Sequence, residues 1–163
     1  MKTKRFWMLG LIMALLLATS FTGIASAEAP VPFKAYYPVI ATPNFDPVCG
    51  CMQYSFTPGG DGIASHMGLS QFHGTAQIWL GDPMIQKGTG TLIAANGDTL
   101  TVYYEGTASV IDGGQHIITD GWYIVTGGSG RFEGVTGEGT YHVYVYTSGE
   151  LPNDLSFTGV LNK

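Results

Sequence analysis

Between Thr99 and Val110 polar and apolar residues alternate without a break. Leu100, Val102, Tyr104, Gly106, Ala108 and Val110 share one face, while Thr99, Thr101, Tyr103, Glu105, Thr107 and Ser109 share the other. A period of two is that of a strand with one face on a core and one in water. Just upstream, Asn96-Gly97 separates two such runs and marks a hairpin of type I′, which needs positive φ at both central residues. Runs of the same character are "MQYSFT", "GTGTLIAA", "HIITDGWYIV", "GTYHVYVYT" and "LSFTGVLNK". The longer "IASHMGLSQFHGTAQIWL" reads as two strands bent at Gly68. With the alternating run this makes eight strands, and "RFEGV" is a further short rung. No window of a dozen residues sustains a 3.6-residue period without a glycine break. The pattern predicts an all-β fold over residues 49–163, an antiparallel eight-stranded meander closed into a barrel. Closure removes edges that a weakly charged, Thr-rich sheet tolerates poorly.

The first 48 residues follow other rules. Lys2, Lys4 and Arg5 precede the apolar run "FWMLGLIMALLLA", and Ala25-Ser26-Ala27 gives the small-x-small pattern that signal peptidase accepts. Cleavage after Ala27 is expected, with the product secreted or periplasmic. The run is short for a membrane span and no other long apolar run follows, so no span is expected after cleavage. Residues 28–48 hold Pro30, Pro32, Pro38, Pro43 and Pro47. Proline removes a ladder donor, so this segment is expected as an extended arm on the surface, outside the barrel.

Charge narrows the partners. After residue 27 the chain keeps Lys34, Lys87, Arg131 and Lys163 against 12 carboxylates, a net charge near −8. Nucleic acid is excluded on this reading, because its binding needs clustered Lys and Arg. Charged residues make up 12% of the chain, about half the usual share of roughly 25%. Thr, Ser, Gly, Gln and Asn therefore carry much of the wetted surface.

The stretch "IVTGGSGRFEGVTGEGTY", residues 124–141, has the look of a phosphate loop or a nucleophile elbow. Both need a helix to follow, and Gly134, Gly137 and Gly139 forbid one. Arg131 stands where G-x-S-x-G needs its last glycine, and Glu133 stands where a dinucleotide fingerprint needs glycine. The stretch is expected to be turn and corner structure, with Phe132 plugging one barrel end. No cofactor is called for.

The same segment, from Tyr123, resembles the G-G-[TS]-G-x-F-x-x-[AV]-x-G signature of allene oxide cyclase-like and dirigent-like barrels, including secreted bacterial members of that superfamily. "GTGTLIAANGDTLTVYYEGTASV" and "IASHMGLSQFHGTAQI" resemble the preceding strands of the bacterial members. The similarity spans roughly residues 53–161 and rests on structural glycines. It implies a calycin-like eight-stranded barrel with a small apolar cavity, often dimeric or trimeric in plant relatives. Those relatives shape a cyclisation or coupling of hydrophobic lipid or phenolic intermediates. A small hydrophobic or phenolic ligand in the barrel interior is thus the first functional expectation, with a cyclase-like or dirigent-like step left open. No catalytic residue is carried over from the resemblance.

The chemical candidates each have two readings. Asp120 shares parity with Ile118, Trp122 and Ile124; facing inward it would be a buried acid or base. A bulge at Gly121 would instead turn it to water, and that reading is preferred. Tyr104, Ile118, Trp122, Ile124, His66 and Phe132 are the pocket candidates. His142, Tyr144 and Tyr146 form a polar-aromatic stripe, either a solvent-facing ladder or a stacking surface for sugars or phenolics. That stripe supports the alternative function, a structural or adhesive protein whose outer face takes glycans or copies of itself. The histidines have no spacing that supplies convergent ligands, so no metal is called for. Cys49 and Cys51 flank Gly50. In a strand their Cα atoms would stand about 6.6 Å apart, and a bend at Gly50 would bring them within disulfide reach. They are a local staple, a redox pair, a link between chains or simply two small buried residues.

Overall fold

The computed structural model describes residues 29–148 and 152–163, so the expected signal sequence lies outside the described residues. Nine strands follow in order: β1 (Val31–Asp46), β2 (Cys51–Pro58), β3 (Gly62–Ala64), β4 (Gly68–Trp79), β5 (Met84–Ala94), β6 (Thr99–Ile111), β7 (His116–Gly128), β8 (Thr136–Tyr146) and β9 (Asn153–Asn162). From β4 to β9 each strand pairs antiparallel with the next, and β9 pairs with β1. β2 and β3 both lie between β1 and β4, one after the other. They form one interrupted stave, so nine strands close an eight-stave antiparallel barrel. Among the described residues no helix is long and apolar enough to cross a membrane.

The Pro-rich segment is extended, as its composition suggests, but it is not an arm lying outside the barrel. Val31–Asp46 is a stave of the barrel wall, with Phe33, Ala35, Tyr37 and Val39 buried. The prolines are tolerated because of where their missing N–H groups would point. Lys34 and Pro38 turn their carbonyls to Ser65 and Gly59, so the even positions, Pro32 and Pro38 among them, face the β2–β3 side. There β3 pairs only Ala35 and Tyr36. Pro43 is on the opposite parity and faces the β9 side, where pairing ends at Val39↔Asn153. No ladder bond is lost at any of the three. The expected count of eight was reached with a different set: Ile63 and its neighbours are half of a shared stave, and β1 supplies the missing one.

Two local expectations also change. Ala94 and Asp98 close a three-residue turn: the Gly97 N–H donates to the Ala94 carbonyl at 2.9 Å and the Ala94 N–H to the Asp98 carbonyl at 2.9 Å. Only Gly97 in this turn has positive φ, 87°. The hairpin is therefore a type I turn closed by a glycine bulge, not type I′. "RFEGV" adds no rung; Gly130–Phe132 is a single 3₁₀ turn that drives Phe132 into the barrel end, 3% exposed.

Inward-facing positions are dense with rings. Tyr37 meets Phe72 at 5.9 Å between centroids, Phe72 meets Phe157 at 5.8 Å, and Phe157 meets Tyr123 at 5.2 Å and Tyr141 at 6.4 Å. Tyr141 meets Tyr104 at 5.0 Å. These are the tilted and edge-on geometries aromatic pairs prefer. An eight-stranded barrel is just wide enough for its side chains to fill. The void among Tyr54, Phe56, Ile78, Gln86, Thr119 and Val143 measures about 10 Å³, room for one water at most. Three of the interior hydroxyls find partners inside, while that of Tyr123 is buried without one among the described residues. Tyr37 bonds Ser70 at 2.9 Å, Tyr104 donates to the Thr75 carbonyl at 3.0 Å, and Tyr141 donates to Gln86 Oε1 at 3.2 Å.

Candidate functional site

Register decides which side chains β7 presents to solvent. Gly106 stands opposite Gly121 and Thr107 opposite Asp120, and the register shift on β6 falls at Thr101/Val102. No bulge occurs at Gly121. Thr119, Tyr123 and Val125 point inward, and Ile118, Asp120, Trp122 and Ile124 all lie on the outer face. Asp120 does face water, but by plain alternation rather than through a bulge. Ile118, Trp122 and Ile124 are not interior residues; apolar character misled there, since Thr119 occupies the inner position.

Asp120, His142 and Ser156 are direct cross-strand partners on β7, β8 and β9, and Ser156 stands opposite Tyr36 on β1. The His142 Nδ1–H donates to Asp120 Oδ1 at 2.8 Å. Two residues along β8, Tyr144 pairs with Ile118 and Asp154, and Tyr146 pairs with His116. The His116 Nδ1–H donates to Asp112 Oδ2 at 2.9 Å. Its ring meets Tyr144 at 5.0 Å and Tyr146 edge-on at 5.5 Å, and those two tyrosines meet at 4.9 Å. The Tyr36 hydroxyl donates to Asp154 Oδ1. Aromatic side chains from three staves thus share one wall, and carboxylates fix three of those side chains.

The electrostatics are mild. Asp154 holds the Tyr36 hydroxyl above its usual range by accepting its hydrogen bond, and partial burial adds to this. Tyr144 is raised by desolvation and by Asp112. Beside the rings a groove of about 560 Å³ is lined by Asp120, Thr140, His142, Ser156 and Thr158. The Asp–His–Ser row has the residue types of a hydrolytic triad. Yet the Asp120 side chain is 70% exposed on an open sheet wall. Charge developing there would be stabilised by water rather than by preorganised donors. The row is open to solvent rather than enclosed.

The other candidates are dispersed. Tyr104 is interior, and burial pushes its hydroxyl far above the ordinary range. His66 and Phe132 meet at the barrel end, in a cleft of about 270 Å³ that also takes in Arg131, Val135, Leu161 and Lys163. His66 sits at φ 64° with its Nε2 at 3.1 Å from the Pro32 carbonyl. Cys49 and Cys51 are disulfide-bonded across Gly50, whose φ of 63° brings their Cα atoms to 5.2 Å. No cluster of three or more His, Cys, Asp or Glu able to hold a metal occurs among the described residues.

Two residues of the wall escaped the sequence reading. Tyr36 lay inside the proline-rich segment, and His116 is the first residue of the run "HIITDGWYIV", directly after the glycine turn "DGGQ". The alternation His116, Ile118, Asp120 was the available clue. No protein-family model matches the chain, and no curated protein sequence matches it.

Proposed function

We propose that this is an exported β-barrel protein that binds neutral carbohydrate on its outer wall along β8, without catalysing a reaction. The observation that carries the reading is the His116–Tyr144–Tyr146 ring cluster standing beside a groove lined by hydroxyls. A sugar offers polarised C–H faces, which pack on ring faces. It also offers hydroxyls that both give and take hydrogen bonds, as Thr140, Ser156 and Thr158 do. The pairing of imidazole and phenol groups with carboxylates pre-orients them, so little side-chain freedom is lost on binding. The leader-like first 27 residues and the disulfide support the export part of this reading.

Electrophoresis through native gels containing dextran, amylose, β-glucan or galactomannan tests this. The wild-type protein is expected to be retarded by at least one polymer, and Tyr144→Ala/Tyr146→Ala to lose about tenfold or more in affinity. Unchanged retardation of that variant contradicts the reading.

A second reading has one observation in its favour. The barrel-end cleft sets His66, Arg131 and Lys163 around Phe132, Val135 and Leu161. An apolar floor with a cationic rim suits a small hydrophobic acid, in keeping with the resemblance to allene oxide cyclase-like barrels. Native mass spectra of the mature protein separate the two, since this reading alone requires a bound small molecule that Arg131→Ala releases.

A further inference from the structure

We infer that the barrel carries a second carbohydrate groove on the wall opposite β8, and that the protein bridges two glycan chains. The identification of carbohydrate as the ligand class rests on the reading above; the second groove stands on its own residues.

This groove measures about 470 Å³ and lies over β2, β4, β5 and β6. Gln53, Gln77 and Lys87 are successive cross-strand partners that form one polar row across it, and Glu105, the partner of Lys87, continues the row at its margin. Ser55, Thr75, Thr89 and Tyr103 form the next row. Neighbouring strands stand about 4.8 Å apart, so each row offers a polar group at intervals comparable with one pyranose unit. The glutamine amides carry both donors and acceptors, as vicinal sugar hydroxyls require. Gln53 is already oriented, its Nε2 donating to Asp46 Oδ2 at 2.7 Å. Trp79 and Tyr103 supply ring surfaces at the groove.

The charge in the groove is internally cancelled. Lys87 Nζ lies 3.2 Å from Glu105 Oε2, and the Tyr103 hydroxyl donates to the same oxygen at 2.9 Å. These two contacts hold the Glu105 carboxyl below its usual range, the tyrosine bond contributing most. No unpaired positive charge is left to attract phosphate or uronate, and the groove fits a neutral chain.

Position gives the consequence. Around the eight staves β8 lies three from β5 and four from β4 by the shorter route. One straight glycan cannot lie in both grooves of a closed barrel. Two occupied grooves therefore mean two chains held by one protein, with the gain in avidity that linked sites give.

Beads coated with amylose, dextran, β-glucan or galactomannan read out bridging, and gels containing the same soluble polymer read out binding. The variants are Trp79→Ala/Gln77→Ala, Tyr144→Ala/Tyr146→Ala and their combination. Gln53→Ala/Gln77→Ala replaces the first if a thermal melt shows loss of fold. Wild type is expected to agglutinate beads. Each double variant is expected to lose agglutination yet stay retarded in gels, about tenfold or more weakly, and the combination to show neither. Agglutination at the wild-type level by both variants of the second groove overturns that groove and leaves the β8 reading intact. Retardation indifferent to the tyrosine pair overturns the β8 reading and bridging together. A wild type that no polymer retards overturns both.

Discussion

Tyr104 and Gly88 are cross-strand partners on β6 and β5, and the tyrosine ring occupies the space over the glycine. A β-carbon built on Gly88 would stand 2.4 Å from that ring and 2.4 Å from the Thr75 carbonyl oxygen. The ring is held from its far end as well, by its hydroxyl bond to Thr75. Interior volume that a ligand could have used is thus taken by the protein's own ring. Gly88→Ala is expected to cost about 2–3 kcal/mol through overpacking, and Tyr104→Ala about 3–5 kcal/mol through a cavity. Urea unfolding checks both as a drop in midpoint at constant slope.

Burial pushes Tyr37 and Tyr123 up to about 12, and raises Tyr104 and Tyr141 as well. In the unfolded chain all four titrate near 10. Above pH 10 the unfolded state sheds these protons while the barrel keeps them, so stability present below pH 10 is lost as pH climbs toward 12. In an alkaline titration the tyrosinate absorbance of these four of the nine tyrosines is expected to appear together with loss of near-ultraviolet dichroism. Their ionisation inside an intact barrel would contradict the packing described.

Asp120 is a surface partner of His142 rather than a buried acid. Asp120→Asn is expected to change stability by less than about 0.5 kcal/mol, since the pair is solvated. A loss several times larger, measured by thermal or urea unfolding, would place the carboxyl in the core.

The Cys49–Cys51 bridge closes a ring of only three residues at the β1–β2 turn. Loop-closure entropy for so short a ring is about 1.6 kcal/mol. Cys49→Ser/Cys51→Ser is expected to lower stability by about that amount. Faster hydrogen exchange should be confined to the hairpin tip, beyond the staves that β9 supports. Global loss of exchange protection would contradict a local staple.

The barrel was legible in the chain wherever alternation met ordinary strand formers, above all from Leu100 to Ala108. Val110 fails the pattern, 53% exposed, because β5 stops pairing at Ala108 and the wall ends there. β1 was hidden by its prolines, whose harmlessness depends on where β3 and β9 stop, a tertiary fact. The side of β7 was misjudged for a different reason. Ile118, Trp122 and Ile124 outrank Thr119 in hydrophobicity, yet Gly121 must face inward to admit the Tyr141 ring, 2.6 Å from where its β-carbon would be. The stripe His142, Tyr144, Tyr146 was visible in sequence; its joining to His116 and Tyr36 needed the register.

β8 itself offers the most direct measurement, because Tyr141 and Val143 point inward while His142 and Tyr144 point outward. Side-chain NMR spectra would be recorded during titration with hexasaccharides of glucose, galactose and N-acetylglucosamine. Saturable shifts at His142, Tyr144 and Tyr146, with Tyr141, Val143 and Tyr104 unmoved, are the predicted result. Shifts confined to the inward set, or none with any of the three sugars, would contradict an outer-wall carbohydrate site.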